Sequence, residues 1–376
     1  MRRRDEAVET VLRKRWPDPA CWDAVVDAVC SEESSYDTDQ VLIQAGTAIA
    51  RHADRIAVDL RRQQGAFGSA VGHGVTVRAL ALAGTGDLRA LPALHSLAEH
   101  GGLPYSRPEA RVMAALPPAE LAAVMRTKLR RDGDHYHGNT VALEVLAFCG
   151  SDAALAVDDV AMRLDTQYAY DAMRVLGRIG PAAAATADRL AAYATGRGIP
   201  AHPYRRRAAW AHWKVTGDPT LALDVCGTAV RSGTASHGLP FLADLGPLAA
   251  VHTTPVRRLM ESSGAWTRTY AAHAYWRITG DPEPAVPVLL AEVDPAWEGS
   301  PAMPVRQAVH HLGEIGAPAA SAAPLLRGIL AREERLGQPF PGVRILADRA
   351  YARTLTEALE GIHSQGLSRE CWARVG

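Results

Sequence analysis

A stretch of seven residues occurs twice in this chain, almost unchanged. WKVTGDP spans residues 213 to 219 and WRITGDP spans residues 276 to 282, an offset of 63 residues. Related segments end at further glycines, spaced 29 to 37 residues apart once a degenerate repeat near Leu116 is counted. The glycines are Gly86, Gly150, Gly180, Gly217, Gly246, Gly280 and Gly316. Self-similarity at this period predicts an architecture of stacked structural repeats.

Each repeat has the pattern of two helices joined by a short turn. The first helix carries apolar residues at three- and four-residue steps, and β-branched alternation is hard to find in the chain. Glycine ends this helix because it accepts the left-handed conformation, and the Asp-Pro that often follows can open the next helix. Asp218 and Asp281 are placed to cap that second helix, which is amphipathic, as in residues 284 to 293. The predicted fold is all-α, a right-handed α-solenoid of about ten helical hairpins.

These segments resemble the HEAT repeat, particularly the short bacterial form found in phycobilisome-lyase-like HEAT proteins. VRQAVHHLGEIGAP, ending at Pro318, is the cleanest copy, and YDAMRVLGRIGP and the two WxxTGDP copies are variants of it. The resemblance covers residues 70 to 360. It implies irregular N-terminal capping helices over residues 1–65 and one continuous HEAT-repeat solenoid over residues 66–376. It says little about activity, because solenoids of this type serve many functions.

Composition restricts partners and location. Forty-one basic residues balance forty-one acidic ones, so the chain has no summed attraction to phosphate or to an acidic membrane. Its first residues are charged and no apolar run follows them, and we expect no apolar stretch of membrane-spanning length. The five cysteines are widely spaced without a C-x-x-C pair, which predicts a reducing cytoplasm. They are Cys21, Cys30, Cys149, Cys226 and Cys371.

The densest cluster of basic and aromatic residues lies between residues 202 and 213. Its arginines could grip phosphate or carboxylate while an aromatic face stacks on a ring. In the structural interpretation, an arginine opens the first helix and the tryptophans pack between repeats. Trp213 and Trp276 occupy equal positions in the repeated motif, which favours packing for those two. A similar patch surrounds His273 two repeats later. The candidate binding residues are His202, Tyr204, Arg205, Arg206, Arg207, Trp210, His273 and Trp266.

Metal and catalytic motifs are weak. DGDHYHG contains four candidate metal ligands, two carboxylates and two imidazoles, within six residues. Their spacing matches no zinc signature, and a solvated loop is the favoured interpretation. These weak candidates are Asp132, Asp134, His135 and His137. Deoxyhypusine hydroxylases share the HEAT fold and bind iron through His-Glu dipeptides, and no such dipeptide occurs here. His310 and His311 lie on the first helix of the last repeat that follows the pattern clearly. No cofactor is predicted, and no catalytic constellation follows from spacing alone.

Three functions fit the sequence. The favoured one is a scaffold that binds a partner protein or peptide through a concave face and a loop-rich rim. The second is a DNA-binding protein resembling HEAT-fold alkylbase DNA glycosylases, for which the arginine and tryptophan cluster is suitable but zero net charge is a poor fit. The third is a small-molecule enzyme or tetrapyrrole lyase on the solenoid, with Cys149 and Cys226 as candidate thiols. Catalysis is therefore not the favoured interpretation.

Overall fold

The computed structural model describes residues 2–31, 34–66, 72–103, 107–132, 136–196, 204–231, 237–337 and 341–364. Its regular elements over these ranges are all α-helices or 3-10 helices, with no strand, so the predicted all-α class is confirmed. The chain divides into unit 1 (Met1–Asp218 with Pro339–Leu346) and unit 2 (Pro219–Gln338 with Ala347–Gly376). The division expected between residues 65 and 66 stays a prediction.

Unit 1 is a succession of helices with short connections. They are α1 (Arg2–Arg13), α2 (Pro19–Cys30), α3 (Tyr36–Ile43), α4 (Ala53–Ala66), α5 (His73–Thr85), α6 (Leu91–His100), α7 (Arg107–Val112), α8 (Pro118–Asp132), α9 (Tyr136–Cys149), α10 (Val157–Ala161), α11 (Ala169–Ile179), α12 (Ala187–Thr195) and α13 (Arg205–Thr216). Contacts run mainly between helices that are close in sequence, such as α8 with α9 and α11 with α13. This local pattern is typical of helical-repeat proteins.

Unit 2 is built in the same way. Its helices are α14 (Thr220–Arg231), α15 (Leu239–Leu245), α16 (Thr253–Leu259), α17 (Ala265–Thr279), α18 (Ala285–Ala291), α19 (Val305–Ile315), α20 (Ala323–Leu330) and most of α21 (Pro341–Ser364). Helix α19 shows how sequence fixes packing, because Val305, Val309 and Leu312 recur on one face and are fully buried.

All seven glycines that we expected to end first helices have a positive φ. At Gly86, Gly217 and Gly280 the value of ψ is close to zero, which is the expected left-handed cap. The glycines followed by Pro or Ala-Pro differ. Gly180, Gly246 and Gly316 have ψ values of −140°, −133° and −138°. That combination is open essentially to glycine alone, so the sequence interpretation was incomplete at these turns.

A 3-10 helix follows several of these glycines and precedes the second α-helix, a feature that the repeat pattern did not predict. Such segments include Gly46–His52, Gly150–Ala156, Gly180–Thr186, Gly246–His252 and Ala317–Ala322. In all five, the residue three positions after the glycine is fully buried. These residues are Ile49, Ala153, Ala183, Ala249 and Ala319. The 3-10 segment therefore places one buried apolar side chain, alanine in four of the five, ahead of the α-helix that follows.

The doubled TGDP motif makes the same turn twice. The amide of Gly217 donates to the carbonyl of Trp213 at 2.7 Å, and the amide of Gly280 donates to that of Trp276 at 2.8 Å. In each copy the threonine hydroxyl accepts a hydrogen bond at 3.1 Å from the amide of the aspartate two residues later. The recurrence of the motif is thus a recurrence of backbone geometry.

The predicted capping of the second helix by Asp281 is wrong, because α18 begins at Ala285 with Pro284 as its N-cap and no side-chain cap. Instead, Oδ1 of Asp281 accepts a hydrogen bond at 3.0 Å from the amide of Glu283, within the turn that precedes the helix. The two tryptophans of the motif are half-buried. The basic residue that follows each one lies over its ring, Lys214 at 4.1 Å and Arg277 at 5.8 Å from the ring centroid.

Glycines also allow close helix approach inside each unit. A Cβ atom at Gly177 of α11 would overlap the ring of Trp210 on α13. In unit 2, a Cβ atom at Gly313 of α19 would overlap Ala358 of α21, and one at Gly361 would meet the carbonyl of Gly313. Both contacts hold neighbouring helices closer together than larger side chains would permit.

One stretch is longer and more apolar than the sequence analysis expected. Residues Asn139–Asp165 have a mean hydropathy of 1.6 in their most apolar window, which by length and composition could cross a membrane. Half of that window is buried inside the structure. The stretch is not one continuous helix, because α9 ends before Gly150, whose φ is 56°. Buried core helices satisfy the same criteria, so this is weak support for a membrane span.

Candidate functional site

The predicted basic and aromatic cluster lies mainly on α13. His202 falls outside the described residues. Arg205 is tied to the preceding helix, since its Nε donates to the carbonyl of Ala194 at 2.8 Å. Trp210 is only 5% exposed and its ring covers Gly177. The structure therefore places Trp210 in the core, apart from the more exposed members of the cluster.

Three of the remaining members, Tyr204, Arg206 and Arg207, together with Tyr170 of α11 form what we call the arginine–tyrosine surface. The guanidinium carbon of Arg207 lies 4.0 Å from the ring centroid of Tyr170, and its Nη2 donates to the Tyr170 hydroxyl at 2.8 Å. The rings of Tyr170 and Tyr204 are 5.1 Å apart. Burial lowers the pKa of Arg207, although a guanidinium remains charged at any physiological pH.

Arg206 directly precedes Arg207 on α13. Its side chain is half-buried, and its buried Nε has no hydrogen-bond partner among the described residues. Tyr170 is 37% exposed. A guanidinium is a planar fork of donors that matches carboxylate and phosphate oxygens. The arginine–tyrosine surface can therefore accept an anionic group against an aromatic face.

Neighbouring arginines in unit 1 are committed to a buried carboxylate. Glu144 on α9 is 2% exposed and lies 2.6 Å from Nη2 of Arg174 and 3.4 Å from Nη2 of Arg111. Arg174 also lies 3.3 Å from Asp171. A buried charge needs such pairing. These arginines hold α7, α9 and α11 together and are not part of the candidate surface.

A second cluster lies in unit 2 and is called here the histidine–glutamate cluster: His273 on α17 with His311 and Glu314 on α19. The two imidazoles are stacked, with centroids 3.6 Å apart and planes 10° from parallel. Oε2 of Glu314 is 2.8 Å from Nδ1 of His311 and 3.1 Å from Nε2 of His273. The more exposed His310 places Nε2 3.7 Å from the same oxygen.

Burial and neighbouring groups shift the pKa values of His311 and Glu314. Burial lowers the pKa of His311 to about 4, which leaves this imidazole neutral at neutral pH. Burial would raise the pKa of the Glu314 carboxyl, but the imidazoles of His273 and His311 outweigh it and hold that pKa well below its usual range. Glu314 is therefore ionised beside a neutral His311.

Sequence reasoning singled out His273 and did not find Glu314. The available signal was the spacing of His311 and Glu314, because residues three apart share a helix face. Which helix face meets His273, however, depends on how α17 and α19 pack. Trp266, the other predicted residue of this patch, stacks on Tyr270 at 5.4 Å, and its Nε1 donates to the carbonyl of Ala302 at 3.0 Å.

The other weak candidates receive little support. Asp134 and His135 lie outside the described residues, as do the side chains of Asp132 and His137. The candidate thiols Cys149 and Cys226 are buried, and burial raises the pKa of Cys149 to about 12. A nucleophilic cysteine needs the opposite shift.

The described residues thus define an all-helical protein of helical-repeat character. No protein-family model matches the sequence, and no curated protein matches it significantly. Among solved structures, the chain is similar to an engineered protein determined by the Northeast Structural Genomics Consortium, with 16% sequence identity and a TM-score of 0.39. That match covers 96% of this chain and 99% of the other. The resemblance to the HEAT family continues to rest on the residues of the repeat.

Proposed function

We propose that this protein is a helical-repeat binding scaffold, with about ten HEAT-like hairpins stacked as a right-handed α-solenoid. We further propose that it binds a protein or peptide partner through the arginine–tyrosine surface. The observation that carries this proposal is the pairing of Arg207 with the exposed ring of Tyr170, at 4.0 Å, next in sequence to a second arginine, Arg206.

The chemistry of this surface suits a protein partner. Tyrosine and arginine are enriched where interfaces concentrate binding energy, and a tyrosine already held by a neighbour loses little conformational entropy on binding. The arginine guanidiniums match carboxylates in a two-pronged geometry. The partner that fits best is therefore a segment bearing aspartate or glutamate side chains.

Two features disfavour the nucleic-acid alternative. The chain has no formal net charge, whereas phosphate-driven affinity depends on many basic contacts. Trp210, which a glycosylase-like groove would use for stacking on a base, is buried against Gly177. We therefore propose the protein-binding function and treat nucleic acid as an outcome of its test. The cytoplasmic location that composition predicts belongs to the same proposal.

The test is affinity capture from nuclease-treated lysate of the native host, with quantitative mass spectrometry. The baits are the wild-type chain, Arg206→Glu and the matched control Arg258→Glu, since Arg258 is exposed on α16 and has the same charge. Both substitutions change the net charge equally. We expect a protein that wild type and the control retain and that Arg206→Glu loses by about tenfold.

Equal retention of every captured protein by the two variants would contradict a role for this surface. Nucleic acid recovered from untreated lysate by wild type, and lost with Arg206→Glu, would instead support the DNA-binding alternative. Circular dichroism of each bait verifies that the substitution leaves the helical fold intact.

A further inference from the structure

The histidine–glutamate cluster offers a set of donors that metal ions prefer. Two imidazoles and one carboxylate form the protein ligand set of several catalytic zinc sites and of non-haem iron sites. In this chain, one donor atom from each of His273, His311 and Glu314 lies within 4.8 Å of the other two. Donors around a tetrahedral zinc ion with bonds of about 2.0–2.1 Å are roughly 3.3 Å apart, so the two stacked imidazoles would turn until their nitrogens point towards one ion.

Some imidazole nitrogens of the cluster have no hydrogen-bond partner among the described residues. His311 is 6% exposed, and its Nε2 has no hydrogen-bond partner among the described residues. Nε2 of His273 is also buried without a hydrogen bond, although it lies 3.1 Å from the Glu314 carboxylate. Buried imidazole nitrogens are normally satisfied. Nε2 of His311 and Nε2 of His273 are therefore nitrogen atoms that a metal ion could bind.

The surrounding helices hold the donors in place. His311 and Glu314 share one face of α19, whose Gly313 is in close contact with Ala358 of α21. The ring of His273 contacts that of Trp276 at 5.9 Å on its own helix and stacks on His311. The helices therefore keep the three residues close together, which lowers the entropic cost of ordering them around an ion.

We propose that His273, His311 and Glu314 bind a divalent transition-metal ion, with one nitrogen from each imidazole and one carboxylate oxygen as ligands. His310 is a further candidate ligand, since its Nε2 is 3.7 Å from the Glu314 carboxylate. Three protein ligands with an open position are typical of reactive metal sites. This site is independent of the arginine–tyrosine surface and of the partner proposed for it.

The test is equilibrium dialysis of the chelator-treated full chain against Zn²⁺, with Co²⁺ as a spectroscopic probe and Mg²⁺ as a negative control. We expect wild type to bind about one equivalent of Zn²⁺ and to give the visible absorption of tetrahedral Co²⁺. We expect no Mg²⁺ binding, because Mg²⁺ prefers oxygen ligands.

The variants decide which residues are ligands. Glu314→Gln keeps the size of the side chain and His273→Ala removes one imidazole, and each should weaken Zn²⁺ binding by at least about tenfold. His237→Ala, at an exposed histidine of unit 2, should bind as wild type does. Absence of stoichiometric Zn²⁺ binding by wild type would overturn the proposal. So would Zn²⁺ affinity that is equal in wild type, Glu314→Gln and His273→Ala.

Discussion

Helices α13 and α17 carry the two copies of the repeated motif, and they differ most informatively seven residues before the glycine. Trp210 occupies that position in α13 and His273 occupies it in α17. Both helices end in the same turn, with the same threonine and glycine hydrogen bonds. Yet Trp210 fills the space over Gly177, while His273 stacks on His311 and contacts Glu314.

The difference shows which parts of a repeat are constrained. In these two copies the turn has the same backbone conformation, and Thr, Gly and Asp return in both. The interior position needs only a side chain that the next helix can accommodate. It can therefore hold a purely apolar contact in one repeat and a polar cluster in another without changing the fold.

The largest expected effect separates these two positions. Trp210→Ala should lower the free energy of unfolding by about 3–5 kcal/mol, because it removes a buried aromatic ring and leaves a cavity over Gly177. His273→Ala without added metal should cost about 1 kcal/mol, since it removes a smaller, partly exposed ring. Urea denaturation followed by circular dichroism measures both. Equal losses of free energy of unfolding would show that the side chains at positions 210 and 273 contribute equally to packing.

The acid dependence of stability sharpens the same contrast. The folded pKa of His311 is about 4 against an ordinary value of 6.5. Between those values the unfolded chain binds a proton that the folded chain does not. The free energy of unfolding should therefore fall as pH decreases from 6.5 towards 4, by up to roughly 3 kcal/mol from this group. The depressed pKa of Glu314 acts at still lower pH.

His311→Asn should lose this part of the pH dependence, while Trp210→Ala should retain it. The measurement is urea denaturation at a series of pH values for wild type and both variants. A His311→Asn curve parallel to that of wild type from pH 6.5 to 4 would contradict the assignment.

The glycine turns offer a smaller and more local test. Gly246 and Gly280 both have room for a Cβ atom, with no neighbouring atom closer than 3.5 Å, so alanine tests the backbone alone. Gly246→Ala should cost about 3 kcal/mol, because a positive φ with ψ of −133° is closed to other residues. Gly280→Ala should cost about 1 kcal/mol, since its conformation is left-handed helical. A larger loss of melting temperature in Gly280→Ala than in Gly246→Ala would contradict the distinction between the two turn conformations.

Arg206→Ala should have the smallest effect, within about 0.5 kcal/mol of wild type. The side chain is half-buried and its Nε has no hydrogen-bond partner among the described residues. A large drop in melting temperature would show that Arg206 is structural, and the proposed surface would lose its main donor.

The helical class and the positions of the turns could be predicted from the sequence. Helix class and all seven turn glycines followed from the repeat, because a helix end imposes a backbone conformation that few residues accept. The 3-10 segments could not be predicted, since seven residues rich in Ala, Gly and Pro have no distinct period. Trp210 was grouped with surface arginines because only the packing of α11 on α13 shows that Gly177 makes space for it. Glu314 was missed for the same reason, since contacts across helices depend on which faces meet.

Thermal unfolding with and without excess Zn²⁺, for wild type, Trp210→Ala and His273→Ala, tests the comparison most directly. A ligand that binds the folded state raises the melting temperature. The account predicts that Zn²⁺ raises it for wild type and for Trp210→Ala and leaves it unchanged for His273→Ala. The same shift in all three proteins, or no shift in wild type, would contradict the claim that equal positions of the repeat hold packing in one copy and metal-binding chemistry in the other.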